Sequence, residues 1–89
     1  ITLITIPESS GNSGFFDYYV FDGTNGRAGT VIGIWNGTST QYTDYSTPDI
    51  GGSTTGISFT VNADGANVTL NAVVTSGTWT VKVGSRIIF

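Results

Sequence analysis

The stretch ISFTVNADGANVTLNAVV, residues 57–74, alternates apolar and polar side chains on both sides of an Asp-Gly pair. Every second residue from Ile57 is apolar, and the same period resumes at Val68. A period of two is typical of strands with one buried face. Asp64-Gly65 between the two halves is a strong hairpin signal, because this dipeptide tolerates the positive φ of a tight turn. The stretch therefore predicts an antiparallel hairpin.

The same alternation, interrupted by turn residues, recurs along the rest of the chain. Six further segments are predicted as short strands: ITLITI (1–6), FFDYYVFD (15–22), RAGTVIGIWN (27–36), TQYTDY (40–45), WTVKV (79–83) and RIIF (86–89). STPDIGGSTTG (46–56) is rich in glycine and hydroxyl side chains and is predicted as a long loop or crossover. About eight short strands with short turns favour an all-β fold, an antiparallel β-sandwich of jelly-roll-like architecture.

The chain has 89 residues, which is enough for one hydrophobic core. We predict that residues 1–13 form an N-terminal strand and a linker to a preceding region, and that residues 14–89 form a single β-sandwich domain. Since the first residue is isoleucine and not methionine, we expect a fragment, a processed product or the ordered part of a longer polypeptide. The predicted core consists of apolar residues in phase with the strands: Phe16, Tyr18, Val20, Val31, Trp35, Ile57, Phe59, Val61, Val68, Leu70, Trp79 and Val81.

Composition excludes several classes of protein. Cysteine, histidine and methionine are all absent, so neither a disulfide framework nor a zinc site is expected. Small β domains that have neither disulfides nor a bound metal often gain stability from contacts with other subunits, which predicts an oligomer or a larger assembly. The net charge of −3 argues against nucleic acid as a partner, because phosphates need clustered Lys and Arg. No apolar run is long enough to insert into a membrane.

The glycine-rich segment DGTNGRAG, residues 22–29, is a candidate ligand loop. Its glycines lie three apart, which is neither the dinucleotide fingerprint nor a Walker loop, and no helix is predicted after it to bind phosphate. Asp22, Thr24 and Asn25 offer oxygens for calcium, but the twelve-residue loop with its terminal Glu is missing. We therefore expect a hairpin corner, with no metal and no cofactor.

Arg27 lies where this turn enters the next strand, and two roles are open for it. It could be a bidentate partner for a carboxylate or a sugar hydroxyl. It could instead form an ion pair with Asp17 or Asp22 on the neighbouring strand, within one chain or between subunits. The ion pair is the role that we favour.

The aromatic residues divide into core and surface candidates. Trp35 and Trp79 are in phase with aliphatic neighbours, so both are predicted in the core. Tyr18 and Tyr19 point to opposite faces of one strand, which leaves one of them exposed. The residues predicted to make surface or partner contacts are Tyr19, Arg27, Tyr42, Tyr45 and Arg86.

Catalysis has few groups available. Without His or Cys, the common nucleophile–base triads cannot be assembled. A carboxylate pair for glycoside hydrolysis is conceivable, for instance Asp44 with Asp49. Every acidic residue except Asp17, however, lies in or beside a predicted turn, where Asp has structural roles. We therefore expect no enzymatic activity and no catalytic residue.

The order of several segments resembles the C-terminal β-domain found on many virion proteins of tailed bacteriophages, in tail fibres, head fibres and related appendages. The resemblance covers about residues 14–89 and departs from the usual pattern at Asp22, where the family often has Asn, and at Phe89, which extends the usual end. The segments that carry it are FFDYYV, DGTNGRAGTV, IWNGT, YTDYST with DIG, TTGISFTV, and TWTVK followed by Arg86. It implies a virion structural role at a terminal position, a homotrimer and no enzymatic activity.

Three hypotheses follow for the function. The leading one is a virion structural module that oligomerises a fibre or docks on the capsid or tail, with a contribution to attachment at the host surface. The second is a carbohydrate-binding module, in which Tyr19, Tyr42 or Tyr45 stacks on a host surface glycan. The third is a surface filament subunit, in which ITLITI (1–6) serves as a donor strand for another copy.

Overall fold

Seven strands form two antiparallel sheets with a shared apolar core in a computed structural model that describes residues 1–88. The strands are β1 (Thr2–Pro7), β2 (Ser13–Phe21), β3 (Gly26–Asn36), β4 (Ser39–Ser46), β5 (Ile57–Ala63), β6 (Asn67–Val74) and β7 (Thr80–Ile88). A short 3-10 turn, Glu8–Ser10, follows β1. The three-stranded sheet has the order β1-β6-β5, and the four-stranded sheet has the order β4-β3-β2-β7. The predicted antiparallel β-sandwich is confirmed.

The chain changes sheet three times, after β1, after β4 and after β6. β2, β3 and β4 are neighbours joined in sequence, and β7 returns to lie beside β2. A later strand that returns beside the first of three consecutive strands is the Greek-key arrangement. The crossover from β4 to β5, residues 47–56, contains no strand longer than the single bridge between Gly26 and Ile50. This confirms the predicted long connection.

The core lies between the sheets and follows the predicted alternation. Tyr18 from the four-stranded sheet contacts Phe59 from the three-stranded sheet, with ring centroids 4.3 Å apart. Ten of the twelve predicted core residues are buried, and Ile6 and Ala72 join them. Trp79 and Val81 are only half-buried, because β7 is the edge of the wider sheet and Trp79 precedes it.

The prediction of two short strands at the end of the chain is wrong. β7 runs through Gly84 without interruption and pairs with β2 from Thr80 to Ile88. Gly84 lies opposite Asp17 in this register, so the missing side chain does not break the hydrogen-bonded ladder. Phe89, the last residue of the predicted eighth strand, lies outside the described residues.

β1 belongs to the sandwich. It pairs with β6 of its own chain, and Ile6 enters the core, so the sandwich begins before residue 14. A donor strand must be free to pair with another copy. The pairing of β1 within the chain therefore removes the basis for the donor-strand hypothesis.

Within residues 1–88, no helix has the length and apolar character required to cross a bilayer.

The same four-residue turn closes one hairpin in each sheet. DGTN (22–25) joins β2 to β3, and DGAN (64–67) joins β5 to β6. In each turn the glycine has positive φ, and the Asp side chain accepts hydrogen bonds from the two backbone N–H groups that follow the glycine. Such Asp side chains replace the backbone partners that the turn lacks. The hairpin predicted from Asp64-Gly65 is confirmed.

Candidate functional site

DGTN is a hairpin corner, as predicted for the candidate ligand loop. Asp22 Oδ1 accepts hydrogen bonds from the N–H groups of Thr24 and Asn25, at 2.9 and 2.7 Å. These backbone hydrogen bonds, led by the one from Asn25, hold the pKa of Asp22 below its ordinary value. Within residues 1–88, no cluster of three acidic side chains has a geometry suited to a metal ion. The carboxylate of Asp22 is engaged by its own turn.

Arg27 does not pair with Asp17 or Asp22 of its own chain, and the ion pair predicted within one chain is wrong. The register places Arg27 opposite Val20, on the side of the sheet that faces the core, whereas Asp17 points the other way. The Arg27 guanidinium instead donates to the Thr54 carbonyl oxygen at 2.8 Å and to the Ile57 carbonyl oxygen at 3.0 Å. These two hydrogen bonds anchor the end of the crossover and the start of β5 to β3.

A chain of polar contacts extends on both sides of this arginine. Arg27 Nε donates to the Tyr18 hydroxyl at 3.1 Å, and that hydroxyl donates to Asp44 at 2.8 Å. Burial raises the pKa of Tyr18, and Asp44 adds to the rise while Arg27 opposes it. On the other side, the buried Thr54 hydroxyl accepts from Arg27 and donates to Asp49. Asp44 and Asp49, the conceivable carboxylate pair, therefore both accept hydrogen bonds that hold the fold.

The outward-pointing sides of the two sheets differ in chemistry. On the three-stranded sheet this side carries hydroxyls and amides at most positions, including Thr5, Ser58, Thr60, Asn62, Asn67, Thr69 and Asn71. The outward side of the four-stranded sheet, called here the outer face, carries Phe15, Tyr19, Phe21, Ile32, Ile34, Tyr45 and Ile88. Exposed fractions reach 58% at Ile34 and 63% at Tyr45. The outward side of the three-stranded sheet is therefore polar, whereas the outer face carries these large apolar side chains together with polar ones, among them Asp17, Lys82 and Arg86.

The polar groups in the middle of the outer face bind one another. Arg86 donates from Nε and Nη2 to the Asp17 carboxylate at 2.8 and 2.9 Å, and Thr30 donates to the same carboxylate at 2.8 Å. The guanidinium carbon lies 4.7 Å from the centroid of the Phe15 ring. The hydrogen bond from Arg86 is the main reason why the pKa of Asp17 is lowered. This contact is the one ion pair among residues 1–88.

The predicted contact residues do not form one site. Tyr19, Tyr45 and Arg86 lie on the outer face, whereas Tyr42 points to the opposite side of β4 because it pairs with the inward-facing Gly33. Arg27 is half-buried in the contacts to the crossover. The structure thus brings three of the five residues to one surface.

Shallow grooves border the outer face. One of about 530 Å³ lies at the β3–β4 end and is lined by Ile34, Gln41 and the amides Asn12 and Asn36. Another of about 280 Å³ is lined almost entirely by apolar atoms, between Phe21 and the crossover residue Ile50. Because of these grooves, the surface of the outer face is uneven, with concave regions beside the exposed apolar side chains.

Sequence reasoning missed three of these features. The alternation of side chains along β2 and β7 could have indicated the Asp17–Arg86 pair, because it places both residues on the outward side of adjacent strands. Thr54 carried no signal, because the crossover has no periodicity. The apolar outer face was also missed, although Phe15, Tyr19 and Phe21 alternate with the core residues of β2.

No family model matches the chain, and neither a curated protein nor a solved structure shows significant similarity to it.

Proposed function

We propose that the chain is a non-enzymatic structural module of a tailed-bacteriophage virion. It assembles as a homotrimer in a fibre or in an appendage of the capsid or tail, and it docks on other virion proteins of the extracellular particle. The resemblance of residues 14–89 to the C-terminal β-domain of such proteins supports this role. A contribution to host-surface attachment is part of the same proposal.

The observation that carries the proposal is the chemical contrast between the two sides of the sandwich. Contiguous exposed apolar patches on soluble proteins commonly mark interaction sites. Five large apolar side chains of the outer face, Tyr19, Phe21, Ile34, Tyr45 and Ile88, are each more than 40% exposed. The three-stranded sheet of the same chain has a polar outward side, so the amino-acid composition of the chain does not by itself require apolar side chains to face solvent. These exposed apolar side chains, which lie on both sides of the Asp17–Arg86 pair, therefore fit a surface that is covered in an assembly.

The charged groups at the centre of the outer face are compatible with burial. A buried charge is costly unless it is paired and hydrogen-bonded. Asp17 already accepts hydrogen bonds from Arg86 and Thr30, and Arg86 lies over the Phe15 ring. A partner can cover the Asp17–Arg86 pair without supplying a counter-charge, whereas the neighbouring Lys82, which has no ion-pair partner among residues 1–88, must stay in water or meet an acceptor of the partner.

The size of the outer face suits a stable interface. β2 has nine residues. Four strands spaced about 4.8 Å apart and nine residues rising about 3.3 Å each cover roughly 19 by 30 Å. A standard interface buries about 800 Å² of accessible surface on each partner, and side-chain relief brings a projected face of this size close to that area.

Substitution on the two sides of the sandwich tests the assembly role. Ile34→Thr reduces the apolar surface of the outer face and keeps a β-branched residue in β3. Thr60→Ile is the reciprocal control on the three-stranded sheet. We expect sedimentation equilibrium to show weaker self-association for Ile34→Thr and unchanged self-association for Thr60→Ile. Equal behaviour of both variants would contradict the assignment of the outer face. Detection of the chain by mass spectrometry in purified particles tests the virion role separately.

A carbohydrate-binding module is the second candidate, and one groove favours it. The groove at the β3–β4 end combines the amides of Asn12, Asn36 and Gln41 with the aliphatic Ile34, and Tyr45 stands farther along the same strand pair. Amides and aromatic rings are the groups that bind neutral sugars. Glycan-array binding that is lost in Gln41→Ala and Tyr45→Ala would support this candidate, and an array without any bound glycan would count against it.

A further inference from the structure

Gly84 is a glycine that the fold itself does not require. It lies in the middle of β7 with a φ outside the left-handed region, and a Cβ atom added to it would meet no atom within 4 Å. Glycine inside a strand costs about 0.5–1 kcal/mol relative to alanine, because its unfolded chain has more freedom. Glycine inside a strand often marks a bulge, a tight bend or the close approach of another group, and the uninterrupted register between β2 and β7 shows no bulge at Gly84.

The missing side chain leaves a depression in the outer face. The depression is shallow and wide open, with a volume of about 330 Å³, and it is lined by Asp17, Tyr18, Tyr19, Lys82, Val83 and Gly84. We call it the Gly84 notch. It lies at the β7 edge of the four-stranded sheet.

The opposite edge of the same row carries a large exposed side chain. Gly84 pairs with Asp17, Asp17 pairs with Thr30, and Thr30 pairs with Tyr45. Tyr45 is 63% exposed. Across this row the outer face therefore rises at the β4 edge, on Tyr45, and falls at the β7 edge, at the Gly84 notch.

We propose that the partner of the outer face is another copy of this chain, and that Tyr45 of each copy occupies the Gly84 notch of the next. A tyrosine ring buries a large apolar area and keeps its hydroxyl for a polar neighbour, and the notch offers Asp17 and Lys82 beside its apolar floor. This inference rests on the proposed self-assembly and names the contact that mediates it.

The placement of the two features allows the assembly to close. Each copy offers Tyr45 at one edge and the Gly84 notch at the other, so the contact is head-to-tail and repeats around a ring. Three sheets about 19 Å wide, arranged as the sides of a triangular prism, lie about 5.5 Å from its axis, which is close to half of the roughly 10 Å between packed sheets. The outer faces of three copies can thus fill the interior.

Two substitutions test the contact without threatening the fold. Gly84→Val fills the notch with a residue that favours strands, and Tyr45→Ala removes the side chain that occupies it. We expect each to raise the dissociation constant of the assembly about tenfold or more, as truncation of a central interface residue does. The measurement is sedimentation equilibrium of the full chain, with circular dichroism to verify the fold.

Matched controls lie elsewhere on the same strands and sheets. Tyr42→Ala removes a tyrosine from the opposite side of β4, and Ser58→Val adds a valine to the exposed side of β5. Both are expected to assemble like the unmodified chain. If the unmodified chain assembles and Gly84→Val and Tyr45→Ala assemble equally well, the contact is wrong and the assembly role stands. If the unmodified chain is monomeric, both proposals fall.

Discussion

Arg27 Nη1 donates to the carbonyl oxygen and to the hydroxyl oxygen of Thr54, at 2.8 and 2.9 Å. The two residues belong to β3 and to the crossover between the sheets. Thr54 is 2% exposed, and it is the one buried polar residue among residues 1–88. The planar guanidinium therefore holds the longest connection of the chain against the end of the sandwich.

Replacement of Arg27 tests this anchoring role. Arg27→Ala removes the guanidinium donor from the Ile57 carbonyl oxygen and leaves the Thr54 carbonyl oxygen with only the 3.4 Å hydrogen bond from the Ile57 N–H, and hydrogen bonds from charged donors contribute about 1.5–3 kcal/mol each. We expect a loss of about 2–4 kcal/mol in the free energy of unfolding, measured by urea titration. Arg27→Lys should recover only part of it, because an ammonium cannot reproduce the fork. Full recovery by lysine would show that charge alone is required.

The two D-G-x-N turns make stability depend on pH. Backbone hydrogen bonds hold the pKa of Asp22 and of Asp64 below the ordinary value of 3.8. A lowered pKa in the folded state stabilises the protein above the unfolded value, and this contribution is lost as the pH falls through the lowered pKa. Urea titrations at a series of pH values should show the free energy of unfolding falling below pH 3.8. The double variant Asp22→Asn, Asp64→Asn should show a shallower fall, and an unchanged slope would contradict this role.

Two glycines of the four-stranded sheet should respond in opposite directions to alanine. A Cβ on Gly29 would overlap the Tyr45 carbonyl oxygen and lie 2.9 Å from the Tyr18 hydroxyl, whereas a Cβ on Gly84 meets open space. We expect Gly29→Ala to cost about 1–3 kcal/mol through overpacking. Gly84→Ala should stabilise the single chain by about 0.5–1 kcal/mol. Thermal unfolding at concentrations that keep the chain monomeric measures both, and destabilisation by Gly84→Ala would mean that the fold itself needs this glycine.

Trp35 should contribute to stability through both packing and its indole N–H. It is 1% exposed, and Nε1 donates to the Gly11 carbonyl oxygen at 2.7 Å. Trp35→Phe leaves that oxygen without its donor and creates a small cavity, for which we expect a loss of about 2–3 kcal/mol. Chemical denaturation gives the loss. The remaining fluorescence comes from the half-buried Trp79, so acrylamide should quench the variant more strongly than the unmodified chain.

Periodicity was sufficient to predict the β-sandwich and most of its core. Alternation fixes the face of each residue once a strand is identified, which is why the buried positions of β2, β5 and β6 were found. The same parity places Arg27 in phase with Val31 and Trp35, on the inner side. The prediction of an ion pair within one chain gave more weight to charge than to this phase, and it was therefore wrong.

Other features depend on pairing between distant segments, which local patterns do not encode. Gly84 looked like a strand break because its partner Asp17 is remote in sequence. Thr54 lies in a segment without periodicity, so its contact with Arg27 was not predictable. That Gly84 and Tyr45 lie in the same row across the four-stranded sheet follows from the order of its strands, which the sequence pattern does not give.

The mass of the chain in solution tests the central claim, self-assembly through the outer face, most directly. Sedimentation equilibrium over a wide concentration range measures it without labels. We expect a species of three chains, each of 9.3 kDa, that shifts toward the single chain in Gly84→Val. A mass of 9.3 kDa at every concentration would contradict the account.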